Sequence, residues 1–149
     1  MRYLLGLIWI GVVALLPGCV MPENSAIWHA EMIAQPNLNP NDQNTPTPAH
    51  VTFYQLSSPA NFRSADFFAL QDNPERVLGN NLLAEQSVDI KPGQHMVVDI
   101  TLNAQAQFIG IIVDYHHLTN TSGQLLIPID NTTPVLQLSG NQVSMESNS

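Results

Sequence analysis

Few side chains in this 149-residue chain could do chemistry: one cysteine, five histidines and twelve acidic groups. His29, His50 and His95 are scattered, and none stands in an HxH or HxxxH pair. His116 and His117 are adjacent, and neighbours on a strand point to opposite faces, which makes them a poor metal pair. A zinc site would need the fold alone to gather histidines and carboxylates. No serine lies in a Gly-x-Ser-x-Gly turn, and no glycine-rich phosphate loop is present. Asp66, four residues after Phe62, reads as a surface or capping carboxylate and not as an acid catalyst. The expectation is no catalytic residue, no metal and no cofactor. Asn120-Thr121-Ser122 and Asn131-Thr132-Thr133 match the glycosylation acceptor pattern and read as chance matches in polar loops. What remains is the single thiol, Cys19.

Its position assigns its chemistry. Arg2 is followed by an unbroken apolar run, Leu4–Leu16, and then by Pro17, Gly18 and Cys19. A charged start, a short apolar stretch and a small residue before a cut describe a secretory signal. The run is shorter than the roughly 20 residues a spanning helix needs. Leu16-Pro17-Gly18-Cys19 resembles the bacterial lipobox. In proteins carrying that motif the thiol accepts a diacylglyceryl group, the chain is cut before it, and the new amino terminus is acylated. Residues 1–18 are therefore expected to be a signal peptide and 19–26 a lipidated cysteine and tether. A single cysteine also leaves no intrachain disulfide, so the exported domain must rest on its core. Two or three acyl chains on Cys19 would hold it on a bilayer, where one chain binds only marginally. Val20, in place of an aspartate, implies sorting to the outer membrane, facing the periplasm.

The formal net charge is −8, and loss of Arg2 with the signal leaves only Arg63, Arg76 and Lys91 as basic residues. That balance argues against nucleic acid and against anionic lipid as electrostatic partners.

Residues 27–149 are long enough for one domain with one core. Their apolar residues mostly alternate, which is the strand period. Strands are expected at Ile27–Ala34, Val51–Leu56, Leu82–Ile90, Met96–Leu102, Phe108–Val113, Gln124–Ile129, Pro134–Ser139 and Asn141–Glu146. Lys91-Pro92-Gly93 predicts a hairpin between the third and fourth, and Gly140 a tight turn between the last two. Phe108–Val113 is apolar on both faces and belongs mid-sheet. Phe62, Ala65, Phe68 and Ala69 predict one helix over Pro59–Leu70, and Asn73-Pro74-Glu75 a further short turn. The fold class is mainly β: a sandwich of two antiparallel sheets with one inserted helix.

One segment breaks the pattern: Leu38, Asn39, Pro40, Asn41, Asp42, Gln43, Asn44, Thr45, Pro46, Thr47 and Pro48. This is long for a connection between strands, and long ordered loops tend to carry function. Its prolines limit the entropy lost when a partner binds.

Leu38-Asn39-Pro40-Asn41, Tyr54-Gln55-Leu56, Asp66-Phe67-Phe68-Ala69-Leu70, Leu78-Gly79, Lys91-Pro92-Gly93 and Ile109-Gly110-Ile111-Ile112-Val113 follow one another in an order and spacing that resembles the type VI secretion lipoproteins (TssJ-, SciN- or VasD-like). The resemblance implies a transthyretin-like sandwich and no enzyme activity. It implies an outer-membrane lipoprotein that binds the periplasmic C-terminal domain of a TssM-like inner-membrane protein. It also makes Leu38–Pro48 the partner-binding loop. With Asp42 as its one charge, contact there would rest on hydrogen bonds and shape. A competing reading is a periplasmic lipoprotein that binds a small ligand or carbohydrate.

Overall fold

A computed structural model describes residues 25–118 and 123–146. The expected signal peptide, Cys19, most of the tether, the Asn120 acceptor and the tail at 147–149 lie outside these. Eight strands form: β1 Ile27–Ala34, β2 Ala49–Leu56, β3 Leu82–Ile90, β4 His95–Thr101, β5 Phe108–Asp114, β6 Gln124–Pro128, β7 Val135–Ser139 and β8 Gln142–Glu146. They build two four-stranded sheets, ordered β4-β1-β7-β8 and β3-β2-β5-β6. Alternation on β1 sends Trp28, Ala30, Met32 and Ala34 inward, against Val51 and Phe53 of the second sheet. β5 lies between β2 and β6, as its doubly apolar pattern requires.

Two features of the sheets differ from the sequence reading. β3 and β4 do not form a hairpin. β3 pairs with β2 and β4 with β1, so Lys91–Gln94 carries the chain from one sheet to the other. Each strand has one apolar face, and either partner would satisfy that local pattern. Second, β1 runs parallel to β7, with Met32 opposite Leu136 and Ala34 opposite Leu138, so the first sheet is mixed.

The expected single helix is broken into α1 Ala60–Ser64, α2 Phe67–Asp72 and α3 Pro74–Leu78, followed by a 3-10 turn at Gly79–Asn81. Ala65 is extended (ψ 142°), and the Asp66 carboxylate accepts from the backbone N–H of Phe68 and Ala69. A capping side chain offers the backbone an alternative to continuing the previous helix. Asn73 does the same for α3, accepting from Arg76 N–H ahead of Pro74. Phe62, Leu70 and Leu78, one from each helix, fill a second core against Tyr54, Leu56 and Ile112 on the outer face of the second sheet. β2 is thus buried on both faces in its second half.

Candidate functional site

Strand directions sort the connections into two ends. The β1–β2, β3–β4, β5–β6 and β7–β8 connections gather at one end. Ser25, Leu102 and the β6–β7 connection lie at the other, where Leu102 N–H donates to Ala26 O (2.8 Å). The eight residues of β1 span roughly 25 Å between the ends. The loop at 38–48 is therefore at the far end of the sandwich from the point where the chain leaves toward Cys19.

The base of the loop is part of the interior. Leu38 is fully buried in the main core, and Asn39 is only 3 % exposed. These two were expected to belong to a contact surface, but their side chains point into the protein and support the loop. Asn39 adopts φ +43°, a left-handed conformation that asparagine tolerates better than most residues. Its Oδ1 accepts from His116 N–H (2.8 Å), and its Nδ2 donates to Pro48 O (2.8 Å). Its N–H donates to Gly140 O (2.8 Å), and its carbonyl accepts from Thr47 Oγ1 (2.6 Å). Thr47 N–H closes the base on Leu38 O (3.1 Å). One buried residue thereby ties the loop to the β5–β6 connection through its side chain and to the β7–β8 connection through its backbone N–H. Each such bond contributes about 0.5–1.5 kcal/mol net, and leaving a buried partner unmade costs more.

Beyond the base, residues 41–45 form a small closed unit. Asn41 Oδ1 accepts from Gln43 N–H and Thr45 N–H (both 3.0 Å). Asn41 N–H reaches Thr45 O (3.0 Å), and Asn44, at φ +57°, returns its N–H to Asn41 O (2.9 Å). The asparagines, as well as the prolines, thus order the loop. Asp42, Gln43, Asn44, Thr45, Pro46 and Pro48 are exposed, with Pro40, Asn41 and Thr47 half-buried. The one charge, Asp42, lies 3.2 Å from His117 Nε2. Nothing local in the sequence links Asn39 to His116, or Asp42 to His117. The signal that was legible is the asparagine count of the loop.

Three further histidines each face one carboxylate: His29–Asp99 and His50–Asp89 at 2.6 Å, and His95–Glu31 at 2.5 Å. His29 and Asp99 are directly opposite across β1 and β4, as are His50 and Asp89 across β2 and β3. These are cross-strand surface pairs, each contributing a few tenths of a kcal/mol to about 1 kcal/mol. Among the described residues no three His, Cys, Asp or Glu side chains gather to hold a metal ion. No described helix is long and apolar enough to cross a membrane. A surface depression of about 700 Å³ beside Ser25 is lined by Leu102, Asn103 and Ala104–Ala106, with no aromatic ring on which a sugar could stack.

Residues 27–148 match the family model described as "Type VI secretion lipoprotein, VasD, EvfM, TssJ". The chain belongs to that family. Solved structures share its fold. The type VI secretion lipoprotein TssJ1 from Pseudomonas aeruginosa is 24% identical, with a TM-score of 0.74 over 84% of this chain and 98% of that one. Serratia marcescens Lip, described as a membrane-bound component of the type VI secretion system, is 22% identical, with a TM-score of 0.76 over 84% and 99%. A chain in a structure described as the type VI secretion protein TssM C-terminal domain from EAEC is 22% identical, with a TM-score of 0.71 over 81% and 98%. No curated protein matches the sequence. The two-sheet sandwich expected from strand spacing is the architecture of these family structures.

Proposed function

We propose that this type VI secretion lipoprotein is anchored in the outer membrane by acyl chains on Cys19 and binds the periplasmic C-terminal domain of a TssM-like inner-membrane protein through the exposed part of its 38–48 loop. The observation that carries this is the opposition of the two ends. The chain leaves toward Cys19 beside Leu102, and the ordered, solvent-facing loop stands roughly 25 Å away. A lipid at one end and a pre-shaped polar loop at the other suit a positional link. The work of such a subunit is mechanical, and its chemistry is recognition. Ordering by Asn39 and Asn41 before binding lowers the entropy cost of association. The exposed residues of the loop supply amide and hydroxyl groups, which fix register by hydrogen bonds.

The test is capture of the TssM-like protein from detergent-solubilised envelopes by the tagged full chain, beside a variant with residues 41–45 replaced by Gly/Ser. Capture by the native chain alone is the expected result. Equal capture by both would move the interface off the loop. Capture by neither would end the adaptor reading.

A further inference from the structure

The loop's outward side chains are amide, hydroxyl, carboxylate and proline. An interface made from them alone would lack the buried aromatic or apolar centre on which affinity usually depends. The protein carries such a group nearby. Phe68, on α2, is 59% exposed, and among the described residues it is the only exposed aromatic side chain. Its exposure is built in. The ring stands edge-on to Phe67 (centroids 5.6 Å apart, 88° between planes). Its backbone N–H is held by the Asp66 cap (3.0 Å). Two residues on, Leu70 is fully buried, so α2 is pinned with Phe68 facing solvent. An exposed aromatic on a capped, anchored turn loses little entropy on binding.

Phe68 is also linked to the loop through packed neighbours. Phe67 Cε2 and Leu118 Cδ2 converge over Gly123, each within 3.2 Å of where a Cβ on that residue would stand. Leu118 follows His116 and His117, and these meet Asn39 and Asp42 of the loop. A series of contacts thus runs from Asp42 through His117, Leu118 and Phe67 to the exposed ring of Phe68.

We infer that Phe68 is the apolar anchor of the same interface. It enters an apolar pocket on the partner's periplasmic domain while the loop sets register. This rests on the proposed partner, and the experiment separates the two. Binding of the purified periplasmic C-terminal domain of the cognate TssM-like protein to the full chain in detergent is measured for the native protein, for Phe68→Ala, and for the 41–45 Gly/Ser variant. Thermal unfolding of each is recorded alongside. Phe68→Ala should weaken binding about thirtyfold with an unchanged melting temperature, the size of effect seen when an interface centre is truncated. Phe68→Leu should recover most of the loss. Full affinity in Phe68→Ala, with binding lost in the loop variant, would overturn the anchor and leave the partner standing. No binding by the native chain would remove both. A native dimer that Phe68→Ala dissociates, with partner affinity unchanged, would give this surface to a second copy of the chain and also overturn the inference.

Discussion

The ring of Phe62 in α1 rests on the backbone of Gly110 in β5. A Cβ added at Gly110 would stand 2.6 Å from Phe62 Cε2 and 2.7 Å from Cδ2. Gly110 is opposite Tyr54, whose ring lies 6.4 Å from that of Phe62, so the glycine makes room for an aromatic pair that fastens the helices to the sheet. Gly110→Ala should destabilise the protein by about 1–3 kcal/mol through overpacking, and Phe62→Ala by about 3–5 kcal/mol through the cavity it leaves. The check is the double variant. Gly110→Ala should cost much less once Phe62 is Ala, because the two residues share one volume. Additive losses in urea titrations would show that the contact does not govern either cost.

Asn39 should be needed for the shape of the loop. Asn39→Ala removes the acceptor for His116 N–H and the donor to Pro48 O, and forces a Cβ-bearing residue without those bonds to keep φ +43°. A loss of about 1–3 kcal/mol is expected from two broken, part-buried hydrogen bonds and backbone strain. Asn39→Gly keeps the backbone angle and should lose less. Limited proteolysis should show cutting within 40–47 in Asn39→Ala before the melting temperature is reached.

Alkaline stability should follow two buried phenols. Burial, with Glu85 and Asp114 nearby, pushes Tyr54 up to about 12. Burial alone also raises Tyr115, whose hydroxyl donates to Gln142 O (2.8 Å). Below pH 10, the ordinary tyrosine value, both phenols keep their protons in both states and the contribution is complete. As pH rises from there to about 12 the unfolded chain releases protons that the folded chain retains, so stability falls. Urea midpoints should drop across that window, and less steeply in Tyr54→Phe. An unchanged slope in Tyr54→Phe would show that the Tyr54 phenol does not drive the loss.

Cys19→Ser should leave a folded, exported domain that fractionates away from membranes, because a serine hydroxyl does not accept the thioether-linked lipid. Secretion should fail with it. A Cys19→Ser protein that still sediments with membranes and supports secretion would contradict anchoring through this residue.

Much of the architecture was legible because it is local. Alternation over Ile27–Ala34 identified a strand and its inward face, the doubly apolar Phe108–Val113 identified a central strand, and Gly140 identified the β7–β8 turn, where its φ is +57°. The Asn/Pro run at 38–48 stood out by composition, and the order of short motifs pointed to the family that the whole-domain match shows. Apolar spacing over Pro59–Leu70 predicts one continuous helix because it runs on across Ala65 and Asp66, whereas the extended Ala65 ends one helix and the capping bonds of Asp66 begin another.

The sequence alone determined that alternating strands would bury one face each, that the loop would be irregular, and that the chain's one thiol follows a short apolar run. Those properties belong to single segments, whose side-chain period and backbone preferences act over a few residues. Only the tertiary structure decided that β3 and β4 join different sheets, that β1 runs beside β7 in parallel, and that Asn39 meets His116. The physical reason is that backbone hydrogen bonds carry no sequence label. An amphipathic strand accepts any partner that completes its ladder, and the choice is made by how all the apolar faces close around one core.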